Sequence, residues 1–169
     1  MDRRCSVLAA PAFIMAAACL IGCEDYFDRL GNPLVPDLPQ AMLRNAPASL
    51  LVDGKRIEVR GFLWRDFEPA TPPSGSALMA VFILHSPHDE VTPADIRPAY
   101  LWVLNGGDVW EAVLHQQDYS LPNEFRARAD GGPKWGPEIP VDVVLGVLDS
   151  AKRLHLVAIR GILIGSTGY

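Results

Sequence analysis

Between Tyr100 and Leu114 two stretches rich in β-branched and aromatic residues flank Asn105-Gly106-Gly107-Asp108. Residues that reach positive φ cheaply, set between such stretches, reverse the chain within two residues. Either two-residue loop, Asn105-Gly106 or Gly106-Gly107, produces the same facing. Leu101 and Val103 share a face with Trp110, Ala112 and Leu114, while Trp102 lies opposite with Val109, Glu111 and Val113. The first set is wholly apolar and is the expected core face, because slipping the pairing by one residue would put all of it in water.

Other β signals lie on both sides of this hairpin. Val52-Asp53-Gly54-Lys55 reads as a turn, and the alternation from Ile57 to Trp64 puts Ile57, Val59 and Leu63 on one face. Gly61 inside that strand predicts a bulge or a close backbone approach. Ala77 to Leu84 is apolar throughout and reads as a central strand. Glu124 to Ala129 fits a short strand or a turn of helix. Val141 to Leu148 and Leu154 to Ile164 form a last hairpin, with bends expected at Gly146 and Gly161. The tail from Gly165 to Tyr169 is expected to be loose.

About seven short strands with turns every ten residues or so favour an all-β fold, an antiparallel β-sandwich, loosely immunoglobulin-like but without the Cys…Trp…Cys signature. The alternative is a five-stranded oligonucleotide/oligosaccharide-binding barrel. Before the strands, Asp37 is placed to cap a short helix with Pro39 in its first turn, running to about Asn45 and turning Met42 and Leu43 to the body.

The N-terminus carries an address. Arg3-Arg4 precedes an almost wholly apolar run from Val7 to Ile21, which is shorter than the roughly 20 residues a membrane span needs. Leu20-Ile21-Gly22-Cys23 follows, and it resembles the lipobox of bacterial lipoproteins position by position. The resemblance covers residues 1–23 only. It implies cleavage between Gly22 and Cys23, a diacylglyceryl thioether on the Cys23 sulfur and acylation of the new amino group. Several acyl chains, at about 0.8 kcal/mol per buried CH₂, make a stable anchor where one does not. The expected organisation is a signal peptide over 1–22, then the lipidated Cys, tether and short helix over 23–47, then a single β domain over 48–169. The protein would sit on a cell-envelope membrane, facing the periplasm or the exterior. Glu24 after the lipidated cysteine leaves inner against outer membrane open.

Composition narrows the partners. Cleavage leaves 147 residues with a formal charge of −6, since Arg3, Arg4 and Asp2 depart with the signal. An acidic domain repels phosphate backbones, so no nucleic-acid partner is expected, and membrane contact should come through the lipid. The three cysteines are Cys5, Cys19 and Cys23. Two leave and the third is lipidated, so the mature domain has neither a disulfide nor a cysteine-ligated metal.

Chemistry-bearing clusters are sparse. His85, His88 and Asp89 stand close enough in sequence to suggest a divalent metal, but spacing marks no third distant ligand. They read as a solvated loop, with a small metal-dependent hydrolase as the alternative. His115, Asp118 and His155 accompany no nucleophile elbow, and Gly131-Gly132 precedes a proline rather than a helix, so no catalytic residue or cofactor is expected. Trp135, between glycines and prolines, either stacks on a sugar or peptide if exposed or plugs one end of the fold. The expected function is therefore a non-enzymatic envelope lipoprotein domain binding a protein, peptide or glycan, with a structural subunit of an envelope assembly as a further alternative.

Labelling cells with a fatty-acid analogue should tag the protein, and Cys23→Ala should abolish the tag. A wild-type chain that stays unlabelled and water-soluble contradicts the lipobox reading.

Overall fold

A computed structural model describes residues 34–52, 54–87, 96–117 and 124–167. Cys23, His88 and Asp89 lie outside the described residues, as does Asp118. The described chain is nearly all β. One short helix, α1 (Gln40–Arg44), precedes nine strands. These are β1 (Ser49–Val52), β2 (Lys55–Asp66), β3 (Leu78–His85), β4 (Arg97–Asn105), β5 (Asp108–Val113), β6 (His115–Gln116), β7 (Glu124–Gly132), β8 (Pro140–Leu148) and β9 (Leu154–Thr167).

The strands form one mixed sheet in the order β5-β4-β8-β9-β2-β3-β7-β6, with β1 paired to β2, and the sheet is nearly closed into a barrel. Two expectations change here. The strands are not all short, since β2 has 12 residues and β9 has 14. Nor is the pairing purely antiparallel, because Leu63–Asp66 of β2 runs parallel to Ile164–Thr167 of β9. That pairing also orders Gly165 to Thr167, which the sequence read as part of a loose tail.

The hairpin facing comes out as the sequence predicts. Asn105 pairs with Asp108 across Gly106-Gly107, and Gly106 has φ +60°. Leu101, Val103, Trp110 and Leu114 enter the main core with Ile57, Leu63, Phe82, Leu84, Val143, Leu145 and Ile164. The opposite face of this hairpin is not left to solvent, however. Tyr100, Trp102 and Leu104 join Val144, Leu154 and Ala158 in a second core, roofed by Leu38 and Leu43. The segment around α1 is the roof, so β4 and β8 are buried on both sides and lose the alternation of a one-faced strand. Asp37 does not cap α1: Pro39 holds the cap position and no side chain bonds there.

Glycines act at two places. Gly61 faces Phe82 across the ladder without a register break, and a Cβ there would collide with the Phe82 ring and the Val81 carbonyl, so the close approach is what the sequence flagged. Gly161, with φ +62°, marks a bulge. Val141 pairs with Ile162 and Val143 with Ile159, so Arg160 and Gly161 together oppose Asp142. Two more pairs with β8 follow the bulge, and from Ile164 onward β9 pairs with β2. Gly146, expected to bend its strand, instead leaves room for Trp102 and Tyr100, each within about 3.1 Å of where its Cβ would stand.

Gly61→Ala should cost about 1–3 kcal/mol, as overpacking does where backbone must move. Denaturant melts should show a lower midpoint with an unchanged slope, and a variant as stable as wild type would contradict the packing described.

Candidate functional site

At one end of the sheet, odd positions along β2 point inward, and after Ile57 and Leu63 the next is Arg65. It is only 4% exposed. Its guanidinium donates to Ser76 O (3.0 Å), Gly136 O (2.9 Å), Lys134 O (3.2 Å) and Ser74 O. It also lies 4.9 Å from the Phe67 ring centroid. Four main-chain carbonyls from two loops thus solvate a buried cation, which keeps the desolvation cost tolerable. Lys134 reaches Ser74 Oγ at 2.6 Å and fastens the same loops from outside.

Trp135 lies in the second of these loops. It is half-buried and packs against the main core. Gly136 and Glu138 have positive φ, and Glu138 N donates to Ile164 O at 2.8 Å, so the loop continues onto β9. Gly132 permits the Trp110 ring to lie within 2.7 Å of where a Cβ would be. These contacts tie the Trp135 loop to the body of the sheet.

A second polar node closes the β8–β9 hairpin. Asp149 has a nearly buried side chain that accepts from Ala151 N (2.9 Å), Arg153 N (2.9 Å), Arg153 Nε (2.7 Å) and His155 Nε2 (2.9 Å). Burial pushes its carboxyl up, but the bonds from His155 and Arg153 outweigh this and bring it down to about 2. Sequence reasoning had placed His155 in the last strand without finding Asp149. An Asp at the start of the turn Asp149-Ser150-Ala151-Lys152-Arg153, able to bond its own backbone two residues on, was the available signal.

His85 ends β3 on the outward face, opposite Glu58 of β2 and Glu124 of β7. His115 lies in β6 opposite Arg128. The structure brings neither together with His155. Among the described residues no three His, Cys, Asp or Glu side chains are grouped to hold a metal. No described helix is long and apolar enough to cross a membrane.

The surface feature that stands out is apolar. Phe62 is 54% exposed and Leu163 60% exposed. Phe62 and Leu163 each precede a member of the first parallel pair, Leu63 with Ile164, and both are turned to the outer face. Phe62 and Trp64 have ring centroids 5.2 Å apart. Across the ladder, Val81 faces Phe62, Met79 faces Trp64 and Ile83 faces Arg60, and all three apolar residues are partly exposed. The result is an apolar strip across the outer face of β9, β2 and β3. Ion pairs border it on β2 and β7, Arg60 with Glu124 and Arg128 with Asp130 at 2.7 Å. The sequence reading passed over this strip, although the unbroken apolar run of β3 was its signature. A strand with only one buried face has no need of apolar residues on the other.

Comparison with protein-family models, with curated proteins and with solved structures returned no match.

Asp149 supplies a pH test. Its folded-state pKa is depressed, so its stabilisation is fully present above the ordinary carboxylate range and is lost as pH falls through about 2. Asp149→Asn should lower the melting temperature by roughly 3–6 °C near pH 6, the scale of a lost charged hydrogen bond. The gap between variant and wild type should close as the pH is taken from 4 to 2. A gap that persists at pH 2 contradicts the ionised carboxylate as its source.

Proposed function

We propose that this chain is an envelope lipoprotein, anchored through Cys23, whose β domain is a non-enzymatic module that docks a protein partner on the β9-β2-β3 face. The observation that carries the docking is the exposed strip of Phe62, Trp64, Val81 and Leu163. Exposed contiguous apolar surface of this kind marks interaction sites. An apolar centre with a charged rim is the anatomy of a protein interface. A protein fits better than a glycan because, beside the two rings of Phe62 and Trp64, the strip is made of Met79, Val81, Ile83 and Leu163, which offer a sugar neither a ring face nor a hydroxyl or amide partner. The anchor rests on the Leu20-Ile21-Gly22-Cys23 motif.

For the architecture we infer a barrel rather than a sandwich. What supports it is that β5 and β6, the two ends of the strand order, are separated only by Leu114. Leu114 N itself donates to Ala99 O at 2.8 Å. One bent stretch therefore pairs β4 at its start and β7 at its end. A ring with an odd number of strands cannot alternate direction throughout, and the single parallel pair β2/β9 is what parity requires of seven.

A photoreactive residue placed at Phe62 or at Leu163, in the full chain in intact envelopes, should give a protease-sensitive adduct of one common mass. The same probe at exposed Lys152 should not. No adduct at either strip position, or equal adducts at all three, would refute the docking face, and a protease-resistant adduct would favour a glycan.

A further inference from the structure

We propose that residues 34–47 form a latch that opens as a unit from the β4–β8 face while the sheet stays intact, with Arg160 as its catch. The proposal goes beyond the docking face, which lies on another part of the sheet.

The segment is fastened at few points. α1 has five residues, too few to hold a helix alone. Only Pro36, Leu38 and Leu43 are buried in it. Three of its polar fastenings converge on one side chain: Arg160 Nη2 donates to Leu43 O (3.2 Å), Arg44 O (2.9 Å) and Ala46 O (3.1 Å). These are carbonyls at and just beyond the helix C-terminus, which a cation stabilises. Arg160 is steered there by the bulge at Gly161 and by Asp142 Oδ2 at 3.4 Å. Gln40 Nε2 bonds Gly107 O at 2.9 Å, and Arg44 bonds Gly106 O, both in the β4–β5 turn. Ala158 N to Pro47 O, at 2.7 Å, marks the hinge end.

Closure also leaves one group dissatisfied. Trp102 is fully buried beneath the latch, and its Nε1 has no hydrogen-bond partner. A buried unmade hydrogen bond favours whichever state returns the group to water. Opening returns the indole N–H to water, which offsets part of the apolar burial that holds the latch closed. The sheet below has no such reason to part, because β8 is laddered on both sides, to β4 and to β9. On the lipid-anchor reading, opening adds 14 residues, about 46–50 Å of extended chain, to the distance the domain can reach from its membrane.

Hydrogen exchange on the full chain in detergent micelles tests this. In wild type, the amides of Met42, Leu43, Asn45 and Ala46 should exchange at least roughly tenfold faster than those of Val143, Leu145 and Val147, through partial opening. Arg160→Ala should speed the first group by roughly tenfold again and leave the second unchanged, since Asp142 Oδ1 still accepts from Gly161 N at 3.0 Å. Leu43→Ala, which leaves the bulge untouched, should act on the same amides alone. Equal wild-type rates in the two groups would overturn the latch, because the segment would then open only when the sheet does. So would variants that speed both groups together or neither.

Discussion

Arg65 is where the ends of this structure meet. An ammonium at its position would offer three donors from a point, whereas a guanidinium presents a planar fork. The fork donates to carbonyls of the loop after β2 and of the loop before β8, two segments about 60 residues apart in sequence. Its neighbour Asp66 turns the other way, accepting from Glu68 N at 2.9 Å and Thr167 Oγ1 at 3.0 Å. Two successive residues therefore bind the loops and the last strand to the same point of β2. Gly75 is close-packed for the same reason: a Cβ there would lie within 2.9 Å of the Arg65 guanidinium and the Phe67 ring. A buried cation tolerates this position only if every nearby carbonyl stays aimed at it, so the loops inherit the rigidity of the strand.

The second organising feature is that the sheet buries different amounts of its outer face along its width. At β4 and β8 the outer side chains are covered by residues 34–47, and there the burial is continuous. At β2 and β3 the outer side chains are only partly covered, and burial alternates strictly along β3. Composition does not follow burial in the same way, since Val81 and Ile83 are apolar but only half covered. That mismatch between apolar character and cover separates the proposed docking face from the roofed one.

Much of the local structure could be read from the residues. The facing of the Tyr100 to Leu114 hairpin followed from parity alone, and Gly61 announced a close approach because no side chain fits opposite Phe82. Met42 and Leu43 turned inward as expected, though without the Asp37 cap. Closure could not be read, because it depends on pairings between strands far apart, such as Leu63 with Ile164, for which no local pattern exists. Arg65 was readable in principle. It shares the parity of Ile57 and Leu63, but a charge at an inward position looks like a strand end until its carbonyl partners are known. Leu163 was hidden for the opposite reason, since every residue around it is apolar and periodicity cannot tell which face is wet.

The double role of β9 has a consequence for how the chain is made. Leu154 to Leu163 completes the ladder of β8 and Ile164 to Thr167 the seam with β2, so the last described strand supplies both joins. A nascent chain lacking those 14 residues would leave β8 with one open edge and β2 with another. Such a chain cannot finish folding until β9 has emerged. On the lipoprotein reading we propose, the chain crosses a membrane as an extended polypeptide, and that delay keeps the sheet from locking while β9 is still unsynthesised.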